Sequence, residues 1–246
     1  NMRRVYLSGS SIQGNNIYIK GESFHYVKNV LRLTAEDIFI GFDGSGWEYT
    51  LEIKEIHNSE IESEIKEKRK VFETEPDLEI ILCIALTKNK VFDKVIEKAA
   101  EIGVKQIIPI QTTRCIVGIE RENIENKLQR WRKILSEGSK ISGSARISDI
   151  IKPISFNEAI NIKSDYSIFF WEQAEDSLKN ILKSIKIKSE TKIKIFIGPE
   201  GGFTQQEAEI AKHSGSFIAS LGKRILRVET AVIIALGLIF YQYDNK

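Results

Sequence analysis

Cysteine is almost missing from this chain: Cys83 and Cys115 are the two in 246 residues. That excludes a disulfide framework, and no Cys/His cluster has zinc spacing, so no metal site is expected and a reduced, cytoplasmic protein is. Proline and glycine are scarce as well, 4 and 16, beside 42% hydrophobic residues. A chain so composed is too apolar for intrinsic disorder. Neither sign of charge prevails, since 36 Lys and Arg face 34 Asp and Glu for a net +2. A polycation that grips nucleic acid by bulk charge is excluded, although a local basic face is not. Long apolar runs are absent: the strongest, Ala231 to Phe240, has ten residues, against the roughly 20 of a spanning helix. It reads as a buried helix, one side of which suits a second subunit. The basic start, Arg3-Arg4-Val5-Tyr6-Leu7, lacks the apolar core of a signal peptide, so no targeting segment is expected. No internal repeat or low-complexity tract occurs.

What is present divides in two. Up to about residue 72 strands dominate. Asn16–Ile19 is β-prone, and Asp37–Phe42 and Trp47–Ile56 flank a Gly-containing turn as a hairpin, the latter alternating at Trp47, Tyr49, Leu51 and Ile53. Ile61–Ile65 alternates again, and one short helix near Glu22–Leu31 interrupts the strands. The charged Lys66–Lys70 reads as a strand end and connection, followed by a linker at 73–77. Beyond it the rhythm is strand, helix, strand. Leu78–Leu86, Gln106–Ile110, Tyr166–Trp171, Lys192–Ile197 and Ser216–Leu221 are short buried strands. Helical spacing marks Lys90–Ile102, stopped by Gly103, and Ile124–Ile141, while Thr204-Gln205-Gln206-Glu207 is a capping box opening a helix that ends at Gly215. The expected fold class is α/β with a parallel sheet behind a small β-rich unit.

Three places invite chemistry. Gly198-Pro199-Glu200-Gly201-Gly202 lies between a strand and the capped helix, where open α/β sheets bind ligands and where glycine lets backbone approach them. A tight turn needing glycine for geometry alone explains the same residues. The loop lacks the Lys-Ser/Thr of a Walker sequence and the Gly-x-Gly-x-x-Gly dinucleotide pattern. Leu221-Gly222-Lys223-Arg224-Ile225-Leu226-Arg227-Val228-Glu229-Thr230-Ala231 again follows a strand, with Glu229 or Thr230 as the expected cap of the apolar helix. Arg227 and Glu229 are expensive beside so apolar an element unless they are functional or paired with each other. Third, residues 114–146 carry a local net charge of +4, with Lys127, Arg130, Lys133 and Lys140 off the apolar stripe of their helix. They suit phosphate contacts, or simply a solvated helix face. His25, His57 and His213 are scattered and suggest no catalytic role. Trp131 and Trp171 are read as core or interface, not as stacking platforms.

Ile197-Gly198-Pro199-Glu200-Gly201-Gly202-Phe203 with Glu207, followed by Leu221-Gly222, Ile225-Leu226-Arg227 and Glu229-Thr230-Ala231, resembles the C-terminal signature of the 16S rRNA uridine-N3 methyltransferases (RsmE type) of the SPOUT superfamily. Lys88, Glu101-Ile102-Gly103-Val104, Ile108-Pro109, Thr113-Arg114, Arg130-Trp131 and Glu172 support it, and so do Arg3-Arg4, His25 and Val30-Leu31-Arg32 in the first unit. The resemblance implies a PUA-like RNA-binding β-barrel over residues 1–72. It implies a SPOUT methyltransferase domain over 73–246 whose C-terminal part forms a trefoil knot, an exception to ordinary chain topology. It also implies a homodimer. S-adenosyl-L-methionine is then the cofactor, held around Gly198, Pro199, Glu200, Gly201 and Gly202 and around Leu221, Gly222, Ile225, Leu226, Thr230 and Ala231. The sequence departs from its relatives at Ile141, Ser144 and Ser148, where they usually carry Gln, Arg and Pro.

The activity so implied is methylation of N3 of a uridine in 16S rRNA, within the small ribosomal subunit. N3 lies on the Watson–Crick edge, so the base must be unpaired or flipped out. Arg227 is expected to favour the uracil anion and Glu229 to orient it or accept its proton. Arg3, Arg4, Arg32, Lys88, Arg114, Arg130 and Arg146 are the expected RNA contacts. A non-catalytic RNA-binding or assembly protein of the same fold, and a methyltransferase of another RNA, are the competing readings.

Overall fold

Alternation of apolar and polar residues in the first seventy positions produces strands, in register with the expectation. The computed structural model describes residues 3–71, 78–118, 123–142, 144–188 and 190–243. The expected linker at 73–77 and the boundary after residue 72 lie outside the described residues. The chain divides into two compact units, one of Asn1–Glu75 with Ser139–Ile147, the other of Pro76–Gly138 with Ser148–Lys246.

In the first unit β1 (Arg4–Tyr6), β2 (Ser11–Gln13), β3 (Asn16–Lys20), β4 (Ile38–Phe42), β5 (Trp47–Ile56) and β6 (Glu60–Lys70) form a sheet of order β1-β4-β5-β6-β3-β2. The β1–β4 pair is parallel and the others antiparallel. Helix α1 (Gly21–His25) runs into a π-helical stretch, Tyr26–Val30. Inward positions of the strands, among them Ile17, Ile19, Phe39, Leu51, Ile53 and Ile61, close a core completed by Phe24 and Val27. The charged Lys66–Lys70 is the strand end that its composition suggested, the second half of β6, and not a connection. Its cations have cross-strand partners. Arg69 donates to the buried Glu48 at 2.9 Å, Lys66 lies 2.6 Å from Glu52, and Lys68 stands 4.4 Å above the Trp47 ring. A strand accepts charge readily when the facing strand supplies the counter-charge.

In the second unit seven parallel strands form one sheet: β7 (Leu78–Ala85), β8 (Gln106–Gln111), β9 (Asp149–Ile150), β10 (Ile154–Ser155), β11 (Tyr166–Phe170), β12 (Thr191–Ile197) and β13 (Phe217–Ala219). Their order is β10-β8-β7-β12-β11-β13, with β9 also on β8. The helices are α2 (Asn89–Ile102), α3 (Ile124–Ser142), α4 (Phe156–Ile160), α5 (Leu178–Ser184), α6 (Gln205–His213) and α7 (Val228–Tyr243). Phe92, Val95, Ile96 and Ala99 bury the stripe of α2, which ends where Gly103 turns left-handed at φ 104°. Gly138 lets α3 cross α2 closely, since a Cβ there would stand 2.7 Å from the Glu97 carbonyl oxygen. The last turn of α3 and the chain to Ile147 belong to the first unit, where Ala145 accepts from the Gly46 amide at 3.1 Å. Short elements with little pattern of their own, β1, β2, β9, β10, α4 and α5, were not expected from the sequence. The α4 cap was nonetheless written there as Ser155 and Glu158, a complete capping box.

Candidate functional site

The register of three neighbouring parallel strands sets the site. Phe169 on β11 faces Phe196 on β12, and Phe170 on β11 faces Ala219 on β13. The three chains therefore leave the sheet at one level, at the carboxyl ends where such sheets bind ligands. Their loops line a cleft of about 280 Å³: Trp171 and Glu172 after β11, Gly198–Phe203 after β12, Ser220–Gly222 and Arg224–Leu226 after β13, with Val228 and Ala231 of α7 below. Beneath it the rings of Phe169 and Phe203 pack at 4.2 Å, and Phe156 and Phe196 extend the same core.

The first glycine loop closes on itself through Gly202 N–H donating to the Pro199 carbonyl at 2.9 Å. Gly202 has φ 67°, and a Cβ there would lie 2.9 Å from Oε1 of Glu172. Both the left-handed backbone and the carboxylate above it demand glycine. Gly198 is confined too, a Cβ meeting Phe203 at 3.1 Å. In the second loop Gly222 adopts φ 116° in open space, so conformation alone selects it. Its amide donates to Ser220 Oγ at 3.1 Å, while the Ser220 amide donates to Asp176 at 2.9 Å. Walls of Phe170, Ile197, Leu221, Leu226 and Val228, with Glu172, Glu200 and Arg224 as the charged members, suit a ligand with an apolar ring and a charged end.

Ten of the expected cofactor residues, Gly198, Pro199, Glu200, Gly201, Gly202, Leu221, Gly222, Ile225, Leu226 and Ala231, line this cleft. Thr230 is exposed and does not. The expected cap of the apolar helix is corrected: α7 begins at Val228, so Glu229 and Thr230 sit inside its first turn, where the Glu229 charge favours the helix dipole. Arg227 is exposed, Glu229 half-buried, and each adjoins a lining residue in sequence. Trp131 is core, packed on Phe92 at 4.8 Å. Trp171 packs half-buried against the core of Phe169 and Phe203 and also lines the cleft, with its buried indole N–H among the unpartnered polar atoms. Its place directly after β11, beside Glu172, was the signal available in sequence.

The expected RNA cations are dispersed. Arg3 and Arg32 flank one groove of the first unit with Asp37, and Arg32 holds a left-handed φ of 53°. Thr34 donors hold the Asp37 carboxyl below its ordinary range. Arg4 is spent on Glu48 and lies over Phe42. Lys88 is exposed at the start of α2. Arg130 pairs with Asp93 at 3.0 Å, and Arg146 stacks its stem on Gly46. Arg114 faces the first glycine loop, donating to the Gly201 carbonyl at 2.8 Å. Of the three departures from the resemblance, Ile141 is 66% exposed. The Ser144 hydroxyl donates to the Arg146 carbonyl at 2.8 Å, and that of Ser148 donates to Val104 at 2.5 Å.

Comparison with known proteins bears on this site. A family model described as an RNA methyltransferase domain matches residues 74–240, and one described as an RNA methyltransferase PUA domain matches residues 19–66. The chain is 30% identical to the ribosomal RNA small subunit methyltransferase E of Rickettsia conorii, over 95% of this chain and 93% of that one. It is 28% identical to the Bacillus subtilis protein of the same name, over 92% and 90%. Among solved structures, that of a ribosomal RNA small subunit methyltransferase E from Neisseria gonorrhoeae bound to S-adenosyl methionine superposes with a TM-score of 0.86 at 27% identity, covering 100% of both chains.

Proposed function

Because the chain belongs to the RNA methyltransferase family and carries that family's PUA domain, we propose that it methylates 16S rRNA with S-adenosyl-L-methionine, at N3 of a uridine of the small ribosomal subunit. The observation that carries this is the cleft itself, where two glycine-bearing loops meet at the ends of the parallel strands β12 and β13 on either side of β11. The residues present fit the cofactor. Gly198 and Gly202 have no room for a Cβ beside Phe203 and Glu172, so bare backbone lines the cleft there, the apolar walls suit an adenosine, and Glu172 and Glu200 suit a cationic end. Bound there, the cofactor supplies an electrophilic methyl on a sulfonium.

The remaining work falls to the protein: orienting the uridine, excluding water and managing the imide proton. Arg227 is assigned to the uracil oxygen on which negative charge gathers, and Glu229 to orienting the base or accepting the N3 proton. Single-turnover methylation checks both. Arg227→Ala and Glu229→Gln are each expected to slow the step by about 10²-fold, and near-normal rates in both variants remove these roles. Arg3, Arg32, Lys88, Arg130 and Arg146 are assigned to RNA phosphates. The left-handed Arg32 beside Arg3 favours a binding role in the first unit, since such strain gathers at functional positions.

The finer architecture follows the same reading: a PUA-like barrel over 1–72, a SPOUT domain over 73–246, a trefoil knot in its C-terminal part, a homodimer and a cytoplasmic location. The placement of β12 between β7 and β11, both earlier in the chain, supports a threaded C-terminal part. Exposed Ile233, Leu238 and Tyr241 on α7 support the dimer. The test of the function is mass spectrometry of 16S rRNA from cells with and without this gene. Loss of one N3-methyluridine on deletion is expected. An unchanged 16S rRNA overturns the substrate assignment, and absence of S-adenosyl-L-methionine binding by calorimetry overturns the enzyme.

A further inference from the structure

We infer that Arg114 is a positioning residue for the methyl-donor loop, forming with Thr113 and Glu207 a brace that holds Gly201–Phe203 in its binding shape; the inference rests on the cleft being the S-adenosyl-L-methionine site. Sequence alone suggested a phosphate contact for Arg114. The geometry points elsewhere. Residues Thr112–Cys115 after β8 form a tight turn, closed by the Cys115 amide donating to the Thr112 carbonyl at 3.2 Å. Thr113 and Arg114 occupy its two corners. Nη1 of Arg114 donates to the carbonyl of Gly201 at 2.8 Å and reaches that of Phe203 at 3.4 Å. Its Cβ lies 3.4 Å from where a Gly201 Cβ would stand, so the stem packs on the same loop.

The other corner is tied just as firmly. Glu207, 5% exposed, accepts at Oε1 from the Thr113 amide at 2.8 Å and its hydroxyl at 3.1 Å. Oε2 accepts from the Thr204 amide and hydroxyl at 2.8 and 3.1 Å. One buried carboxylate therefore serves both as the reciprocal partner of Thr204 in the capping box of α6 and as the anchor of a turn 94 residues away in sequence. Between these two ties lies Gly201–Phe203, whose own closure is the single Gly202–Pro199 hydrogen bond. A loop of glycines has little stiffness of its own, and a charged donor on its carbonyls supplies what it lacks.

Arg114→Ala and Arg114→Lys in the full chain test this. Because Arg114 is exposed, the thermal midpoint is expected to stay at the wild-type value. For Arg114→Ala, the Kd and KM for S-adenosyl-L-methionine are expected to rise about tenfold, the loss of one charge-assisted hydrogen bond. Its kcat at saturating donor and its KM for RNA stay near wild type. Arg114→Lys recovers part of the loss, as an ammonium reaches one carbonyl but lacks the planar fork. Hydrogen exchange without any ligand is expected to show faster exchange of the Gly202 amide in Arg114→Ala. An unchanged donor Kd, with a salt slope of RNA binding reduced by about one, makes Arg114 a phosphate contact and overturns the brace. Unaltered Gly202 exchange overturns it too, and that arm decides the brace even if the wild-type protein binds no donor, a result that sinks the methyltransferase reading separately.

Discussion

Lys194 is 2% exposed, and its ammonium donates to the carbonyls of Ala159, Ile160 and Ile162 at 3.1, 2.8 and 2.6 Å. A cation at the C-terminal end of α4 answers both the orphan carbonyls and the dipole there. Burial pushes its pKa down. Lys194→Met fills the space but strands the carbonyls of Ile160 and Ile162, that of Ala159 keeping the Ile162 amide, so we expect about 2–3 kcal/mol lost in urea unfolding. A loss below half a kcal/mol shows that the carbonyls find other partners. Gly202→Ala meets two obstacles, the left-handed backbone and the Glu172 carboxylate. Donor binding is expected to fall at least tenfold in calorimetry, and an unchanged affinity shows that neither obstacle matters. The thiols differ also. Burial pushes the Cys83 thiol up to about 12, whereas Cys115 is half-buried beside Thr112. A thiol reagent on the native protein is expected to label Cys115 first, and peptide mapping reads the order.

Among the elements, β5 and β6 carry an ion lattice in which Lys54 and Lys66 each contact Glu52 and Glu64. These lysines hold the Glu64 carboxyl down to about 2, and that of Glu52 below its usual 4.5. A carboxylate whose pKa is lower in the fold than in the unfolded chain stabilises the fold above its ordinary value. That contribution fades as the pH falls from 4.5 towards 2. Thermal midpoints of Glu64→Gln across that interval are expected to fall less steeply than those of the wild type; coincident curves show that the lattice contributes nothing. The pairs are exposed, so salt weakens them. Helix α6 offers a second comparison. Thr204→Ala removes the cap and is expected to cost about 1 kcal/mol. Glu207→Gln also loosens Thr113 and costs more. The alternation of β5 and the capping box of α6 were legible because each is a local rule. The pairing in the second half of β6 was not, because only the facing strand reveals that Lys66, Lys68 and Arg69 are partnered.

For the whole molecule, α7 is apolar on nearly every side, burying Val232, Ala235, Leu236 and Ile239 while leaving Leu238 45% and Tyr241 87% exposed. Patches of this kind mark association surfaces. Sedimentation is expected to give a dimer, and Leu238→Glu a monomer; a wild-type monomer removes the dimer from the proposed function. The longer parallel strands, helices α2, α3, α6 and α7, the capping box of α6 and both glycine loops were legible in the sequence, since periodicity, caps and positive-φ glycines act over a few residues. A shared pocket was expected of two glycine loops at strand ends of one sheet, but not how it is built, because 17 residues lie between Gly202 and Ser220 and only the parallel register of β11, β12 and β13 carries them to one level. Nor was the work of Arg114 and Glu207. A charge in sequence states what it offers, and only the folded chain decides which carbonyl or amide lies near enough to take it.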